Sequence, residues 1–201
     1  MENPLSGFLP RDQANLVLIM LVSIPLSYLL FLINNKYLLL TLSMALTIGF
    51  QSLLFPTERW FLWGQQQVVY LLIIFSPRKY VGHIVLFESF LVLTVVQLRR
   101  MYISYGDNVF DVTGILMMQL FNYIGLGYNY QNGGKPEESL SADQKQRRVV
   151  EKPNYVTYMG YVNFLPACLV GPVYEYVDYD NYLHRRGDYQ NIPNTISAIL
   201  R

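Results

Sequence analysis

The chain has 201 residues, of which 52% are hydrophobic and only 14% charged, where a soluble domain carries about 25% charge. A net charge of +1 leaves no electrostatic footprint for nucleic acid. The single cysteine, Cys168, excludes an intramolecular disulfide and reads as an inert packing residue.

Residues 1–14 contain Pro4, Pro10, Arg11 and Asp12 in place of a basic leader region. The apolar stretch at 16–33 exceeds the roughly 7–15 residues of a signal-peptide core. We therefore read 1–14 as an interfacial segment and 15–33 as a retained first transmembrane helix, with Pro25 tolerated inside it. Asn34-Asn35-Lys36 is a polar turn. The second segment, 37–55, is stopped by Pro56, and Glu58, Arg59, Trp60 and Trp63 form an interfacial belt. Gln65-Gln66-Gln67 interrupts the third, 61–75, which reads as tilted or partly re-entrant. The fourth, 81–98, ends in Arg99-Arg100 at headgroup level; the fifth covers 109–126. Residues 132–152 hold nine charges and read as a solvent-exposed loop of disorder-prone composition. The sixth, 155–174, is broken by Pro166 and Gly171-Pro172, and an acidic amphipathic run, 174–180, suits a membrane surface. Uncharged runs at 13–35, 37–57, 60–77, 112–134 and 153–174 have about the length a membrane-spanning helix needs. The expected fold is all-α, a polytopic transmembrane helical bundle. It has five helices within 15–131, the polar loop, and a sixth helix with an incomplete C-terminal segment over 153–201. Lys and Arg are too evenly spread to fix its orientation in the bilayer.

Polar residues inside these apolar segments are the candidate functional positions. At 100° per residue, Asn122 falls about 20° from Asp111, Met118 and Gly125 within about 40°, and Gln119 within about 80°. In lipid such a face must meet protein or a water-filled cavity. The stripe reads either as the wall of a polar tunnel or as interhelical hydrogen bonding with close packing at glycine. In the sixth segment, Tyr161, Asn163 and the Gly171-Pro172 break point to a helix facing a cavity, while dense tyrosine also suits an interface belt. His83 and Glu88 echo the His-x4-Asp pair of glycerolipid acyltransferases with a soluble catalytic domain. Five residues place them about 140° apart on a helix, and bonding to neighbouring helices outweighs catalysis. His184, beside Arg185 and Arg186, reads as solvated. Gly133-Gly134-Lys135 lacks the Ser/Thr of a phosphate loop, and no Cys/His spacing suits a metal.

Asp111-x-Thr113-Gly114-x-x-Met117, followed by Tyr128-Asn129-Tyr130-Gln131-Asn132-Gly133, resembles the "D-x-T-G-x-x-M-x-x-x-K-L" and "Y-N-x-x-D-G" blocks of the membrane-bound O-acyltransferases, lysophospholipid acyltransferase branch. Pro153-Asn154-Tyr155, Tyr158-Met159-Gly160-Tyr161, Gly171-Pro172 and Tyr176-x-Asp178-Tyr179 are similar to that branch's second block. The openings Leu9-Pro10-Arg11-Asp12-Gln13 and Ser23-Ile24-Pro25-Leu26 are similar to its N-terminus. Gln119 stands where a basic residue is common, and Asn132 where aspartate is usual. Family members are more than twice as long, with the catalytic histidine and its partner in their second half. Neither His83 nor His184 matches that position.

The resemblance implies acyl transfer from acyl-CoA, a co-substrate, to the hydroxyl of a lysophospholipid during phospholipid remodelling. It implies no cofactor or metal and a multi-pass location in the endoplasmic reticulum, with the lipid bilayer as surroundings. This chain is expected to supply an N-terminal part without the catalytic histidine. The substrate-tunnel candidates are Asp111, Gly114, Gln119, Asn122, Tyr161, Asn163, Gly171 and Pro172; no catalytic residue is assigned and the oligomeric state stays open. Two other readings remain: a non-catalytic membrane protein that packs, binds lipid or joins a partner, and a small transporter or channel. No internal inverted repeat supports the transporter.

Overall fold

The computed structural model describes residues 11–103, 105, 111–167 and 173–190. Every regular element among them is helical. Helix α1, Arg11–Phe31, continues through Pro25. Helix α2, Lys36–Leu54, begins where the Asn35 side chain accepts the Tyr37 and Leu38 N–H groups, capping donors that have no carbonyl partner within the helix. The polar turn read from the sequence is thus a helix start.

Helix α3 is Arg59–Phe75 and runs unbroken through the three glutamines. Gln65 and Gln66 do not interrupt it because both are buried and find protein partners. Helix α4, Val81–Ile103, and helix α5, Thr113–Asn132, pack closely. A Cβ on Gly82 would lie 2.7 Å from the Tyr128 ring, and one on Gly127 would lie 3.4 Å from the Gly82 Cα. Two glycines thus let these backbones approach, as small residues do between helices in lipid.

Gln13–Phe31, Lys36–Leu54 and Val81–Ile103 are long and apolar enough to cross a membrane. Their apolar residues stay largely outside the protein core: Ile24, Leu53, Phe87 and Leu98 are all exposed. Six spans were expected. Helix α3 is shorter, at 17 residues. Helix α5 reaches 20 residues but carries the amides Gln119, Asn122, Asn129, Gln131 and Asn132. The sixth expected span is not one helix. Helix α7 covers Tyr155–Val162 and ends at Asn163, ahead of Pro166, whose ring disfavours helical backbone in the residue before it. A separate helix α8, Tyr176–Leu183, follows. The Gly171-Pro172 break and Cys168 lie outside the described residues, as do the expectations for 1–10 and 191–201.

The polar excursion after α5 is structured. Ser141 and Gln144 form a reciprocal capping box that starts the short helix α6, Ala142–Arg147. Leu140 and Val149 are buried. Arg78, in the α3–α4 turn, clamps the excursion: Nε donates to the Tyr130 carbonyl at 3.0 Å, and NH2 to the carbonyls of Val149 at 3.0 Å and Val150 at 2.7 Å. Its guanidinium also stacks 4.5 Å from the Tyr130 ring centroid. One planar cation thus satisfies a carbonyl near the end of α5 and ties the returning strand to it.

Candidate functional site

Polar side chains gather in two places, and of the sequence candidates Gln119, Asn122, Tyr161 and Asn163 lie in the first. The first is the buried seam of α3, α5 and α7. Asn163 and Gln66, both fully buried, exchange amide hydrogen bonds: Asn163 Nδ2 donates to Gln66 Oε1 at 3.0 Å and Gln66 Nε2 returns to Asn163 Oδ1 at 3.2 Å. Asn163 Nδ2 also reaches the Met159 carbonyl, and the Tyr158 hydroxyl donates to the Gln66 carbonyl at 2.9 Å. The Tyr161 hydroxyl is shared between the carbonyls of Tyr174 at 3.0 Å and Asn122 at 3.3 Å. Its ring meets those of Tyr174 and Tyr176 edge-on, with centroids 5.0 and 5.4 Å away. Gln119 Oε1 accepts the Tyr123 hydroxyl at 2.8 Å. Asn122 Oδ1 and Gln119 Nε2 are buried without a protein partner. Such orphans are costly in a dry core, which marks this seam as a place where polar matter collects.

The stripe drawn through Asp111 does not hold as one helical face. Asp111 precedes α5, and its carboxylate accepts the Thr113 N–H and pairs with Arg100 Nε at 3.0 Å. Gly114 is exposed, with nothing within 4 Å of where a Cβ would stand. Gln119 and Asn122 are buried as the periodicity suggested. Gly171 and Pro172 lie outside the described residues.

The second place is a polar groove of about 460 Å³ between residues 148–154 and α8. Arg148, Lys152 and Arg186 line it, along with Glu151, Asp180 and Thr157. Arg148 pairs with Glu137, and Arg186 approaches Asp180 at 3.4 Å. Asp180 also meets His184 Nδ1 at 3.2 Å, so His184 is partnered rather than solvated. A hollow of about 440 Å³ shares Asn181 and Arg186 with this groove. Between groove and seam, Glu175 accepts Asn129 Nδ2 at 2.6 Å and Arg147 NH1 at 3.1 Å. Burial pushes the phenols of Tyr176 and Tyr179 well above their usual range, so both act here as neutral packing groups.

His83 and Glu88 have separate partners. His83 Nδ1 bonds the Tyr128 hydroxyl at 3.0 Å, while Glu88 accepts Gln65 Nε2 at 2.9 Å. This is the arrangement expected of residues bonded to neighbouring helices. Among the described residues no group of three or more His, Cys, Asp or Glu could hold a metal ion.

The sequence model of the membrane-bound O-acyltransferase family matches residues 98–200, which carry α5, α7, α8, the groove and all of the seam except its α3 residues such as Gln66. The chain belongs to this family. Among its relatives, the lysophospholipid acyltransferase of Schizosaccharomyces pombe is 34% identical over 82 residues, covering 41% of this chain and 16% of that protein. Lysophospholipid acyltransferase 1 of Arabidopsis thaliana is 32% identical over 84 residues, covering 42% and 18%. Lysophospholipid acyltransferase 6 of Drosophila melanogaster is 24% identical over 144 residues, covering 71% and 20%. The matched stretches thus span at most a fifth of the length of these relatives.

Three residues of this family member escaped sequence reasoning. Gln66 was visible only as a dip in hydropathy, and its partner Asn163 lies 97 positions away. Arg78 lies between the third and fourth segments, and nothing local announces the three carbonyls it serves. Glu175 read as part of an acidic surface run, although it joins α5 to α6.

Proposed function

We propose that this protein acts in acyl transfer from acyl-CoA to the free hydroxyl of a lysophospholipid, in phospholipid remodelling at the endoplasmic reticulum membrane. The observation that carries the reading is the family match over 98–200 together with the buried seam that α5 and α7, within that stretch, build with α3. Polar side chains are enclosed there by helices whose outer faces are apolar, the setting in which a lipid substrate leaves the bilayer and meets hydrogen-bonding groups. Gln119, Asn122, Tyr161 and Asn163 take the role of tunnel wall in this reading. The groove with Arg148, Lys152 and Arg186 suits the phosphate groups of a charged donor. Holding both substrates along one path would supply the proximity that acyl transfer needs. No general base is assigned within the described residues.

A non-catalytic role in packing or lipid binding is favoured by one observation. Gln66 and Asn163 satisfy each other, as a purely structural pair does. Membranes containing a full-length family relative in which this chain replaces the matching N-terminal stretch, incubated with labelled acyl-CoA and mixed lysophospholipids, separate the two readings. Labelled phospholipid above that of matched control membranes, reduced by Asn122→Leu at equal abundance, supports the acyl-transfer reading. Identical product with and without the protein overturns it.

A further inference from the structure

A second polar cluster lies in the seam of α3, α4 and α5, apart from the groove. Ser89 is 2% exposed and its Oγ has no hydrogen-bond partner among the described residues. This is unusual for a serine inside a helix, whose hydroxyl ordinarily bonds the carbonyl one turn back. Ser27, Ser52 and Thr94 do so here, at 2.6, 2.7 and 2.8 Å. The Ser89 side chain instead lines a small void shared with Gln65, Tyr123 and the apolar side chains of Val92, Leu93, Leu116 and Leu120. The void has a volume of about 10 Å³. That is about what one water molecule occupies, given two to four polar partners.

Three polar residues reach this space: Ser89 from α4, Gln65 from α3 and Tyr123 from α5. Two already carry one bond outward. Gln65 Nε2 donates to Glu88, and the Tyr123 hydroxyl donates to Gln119. Glu88 lies within α4, one of the helices able to cross a membrane. A carboxylate at that depth is tolerated when it faces protein or water.

We propose that this void is a single-water site anchored by the Ser89 hydroxyl. The water joins Ser89 to the Gln65 amide and the Tyr123 hydroxyl. Three helices thereby share one hydrogen-bonded centre, and Gln65 is held in the orientation that serves Glu88. The ligand class is water alone, because the volume admits nothing larger and four apolar side chains close the remaining walls.

The sign of one substitution separates a hydrated site from a dry one. A hydroxyl stranded in a dry void is a desolvation cost, and removing it is neutral or stabilising. A hydroxyl that anchors a water loses a bond when removed. The test uses the full chain in lipid nanodiscs. A high-resolution map is expected to show density within hydrogen-bond distance of Ser89 Oγ that Ser89→Ala loses. The same variant is expected to lower the unfolding midpoint by about 2–4 °C. A map without that density, density that persists in Ser89→Ala, or a midpoint that is unchanged or raised overturns the proposal.

Discussion

Helices α4 and α5 lie against each other and have similar lengths, 23 and 20 residues, yet solve opposite problems. Thirteen residues of α5 are buried, against five in α4, so α5 is the interior helix of the pair and α4 its outer wall. Their chemistry follows. Helix α4 presents Phe87, Phe90, Leu91, Val95 and Leu98 outward. Helix α5 keeps Gln119, Asn122, Asn129, Gln131 and Asn132 inward. The difference teaches that in a membrane bundle low hydropathy marks a helix shielded by its neighbours. The helix with the weaker transmembrane signature is the one nearer the centre.

The comparison breaks most easily at the outer wall. Leu91 is 51% exposed on α4. If that face meets hydrocarbon, Leu91→Asp costs about 3 kcal/mol of insertion free energy. The variant should appear partly in the carbonate-extractable fraction, with Leu91→Ala retained in membranes as the control. Retention of the aspartate variant at the control's level would mean that α4 faces protein or water there.

The seam between the two helices gives the next effect. Gly82→Leu places a side chain where the Tyr128 ring already stands, 2.7 Å from the first added carbon. Overpacking of this kind costs about 2 kcal/mol. The unfolding midpoint in nanodiscs should fall by about 4–8 °C. Gly49→Leu, at a position with nothing within 4 Å of a Cβ, should fall by much less. Equal losses at both glycines would show that close approach at Gly82 is not what is being measured, since leucine is a better helix former than glycine at either site.

How much of this could be read from residues alone divides along the same line. The outer wall was legible: α1, α2 and α4 are apolar for about the length of a bilayer, and hydropathy needs no partner to be read. Asn163 and Tyr161 were legible as out of place, since a polar group in an apolar run signals itself. Their partners were not. Gln66 meets Asn163 only because α7 stops short at Asn163, and periodicity assumes that a helix continues. The same assumption misplaced Asp111. The 100° rule put it on the face of Asn122, but α5 begins at Thr113 and the carboxylate bonds ahead of the helix. The resemblance to the acyltransferase family needed only short words in order, which is why it survived where the helical wheel did not.

The amide pair tests whether burial of polarity in the interior is costly or useful. Asn163→Leu leaves the Gln66 amide buried with one partner fewer, and about 1–2 kcal/mol should be lost. Adding Gln66→Leu should recover part of that loss, because two apolar groups replace a matched polar pair. The measurement is the unfolding midpoint of both single variants and the double. A double variant that is less stable than either single would show that the pair is tied into the seam beyond its mutual bonds, through the bond from Asn163 to the Met159 carbonyl.

The smallest expected effect concerns the ion pair between the end of α4 and the residue ahead of α5. Arg100 lies in the last turn of α4, and Asp111 stands just before α5. Their side chains are 39% and 15% exposed, so solvent screens the attraction and desolvation is modest. Asp111→Asn keeps an oxygen for the Thr113 N–H and removes only the charge. The loss should be about 0.5 kcal/mol, in the range of exposed pairs. A double-mutant cycle with Arg100→Gln isolates the coupling, and raising the salt concentration should shrink it. A coupling of several kcal/mol, insensitive to salt, would place Asp111 in a dry interior. It would also restore the tunnel-wall role that the stripe with Asn122 first suggested. A small, salt-sensitive coupling leaves Asp111 as the fastener at the edge and keeps the polar interior with Gln119, Asn122 and Asn163.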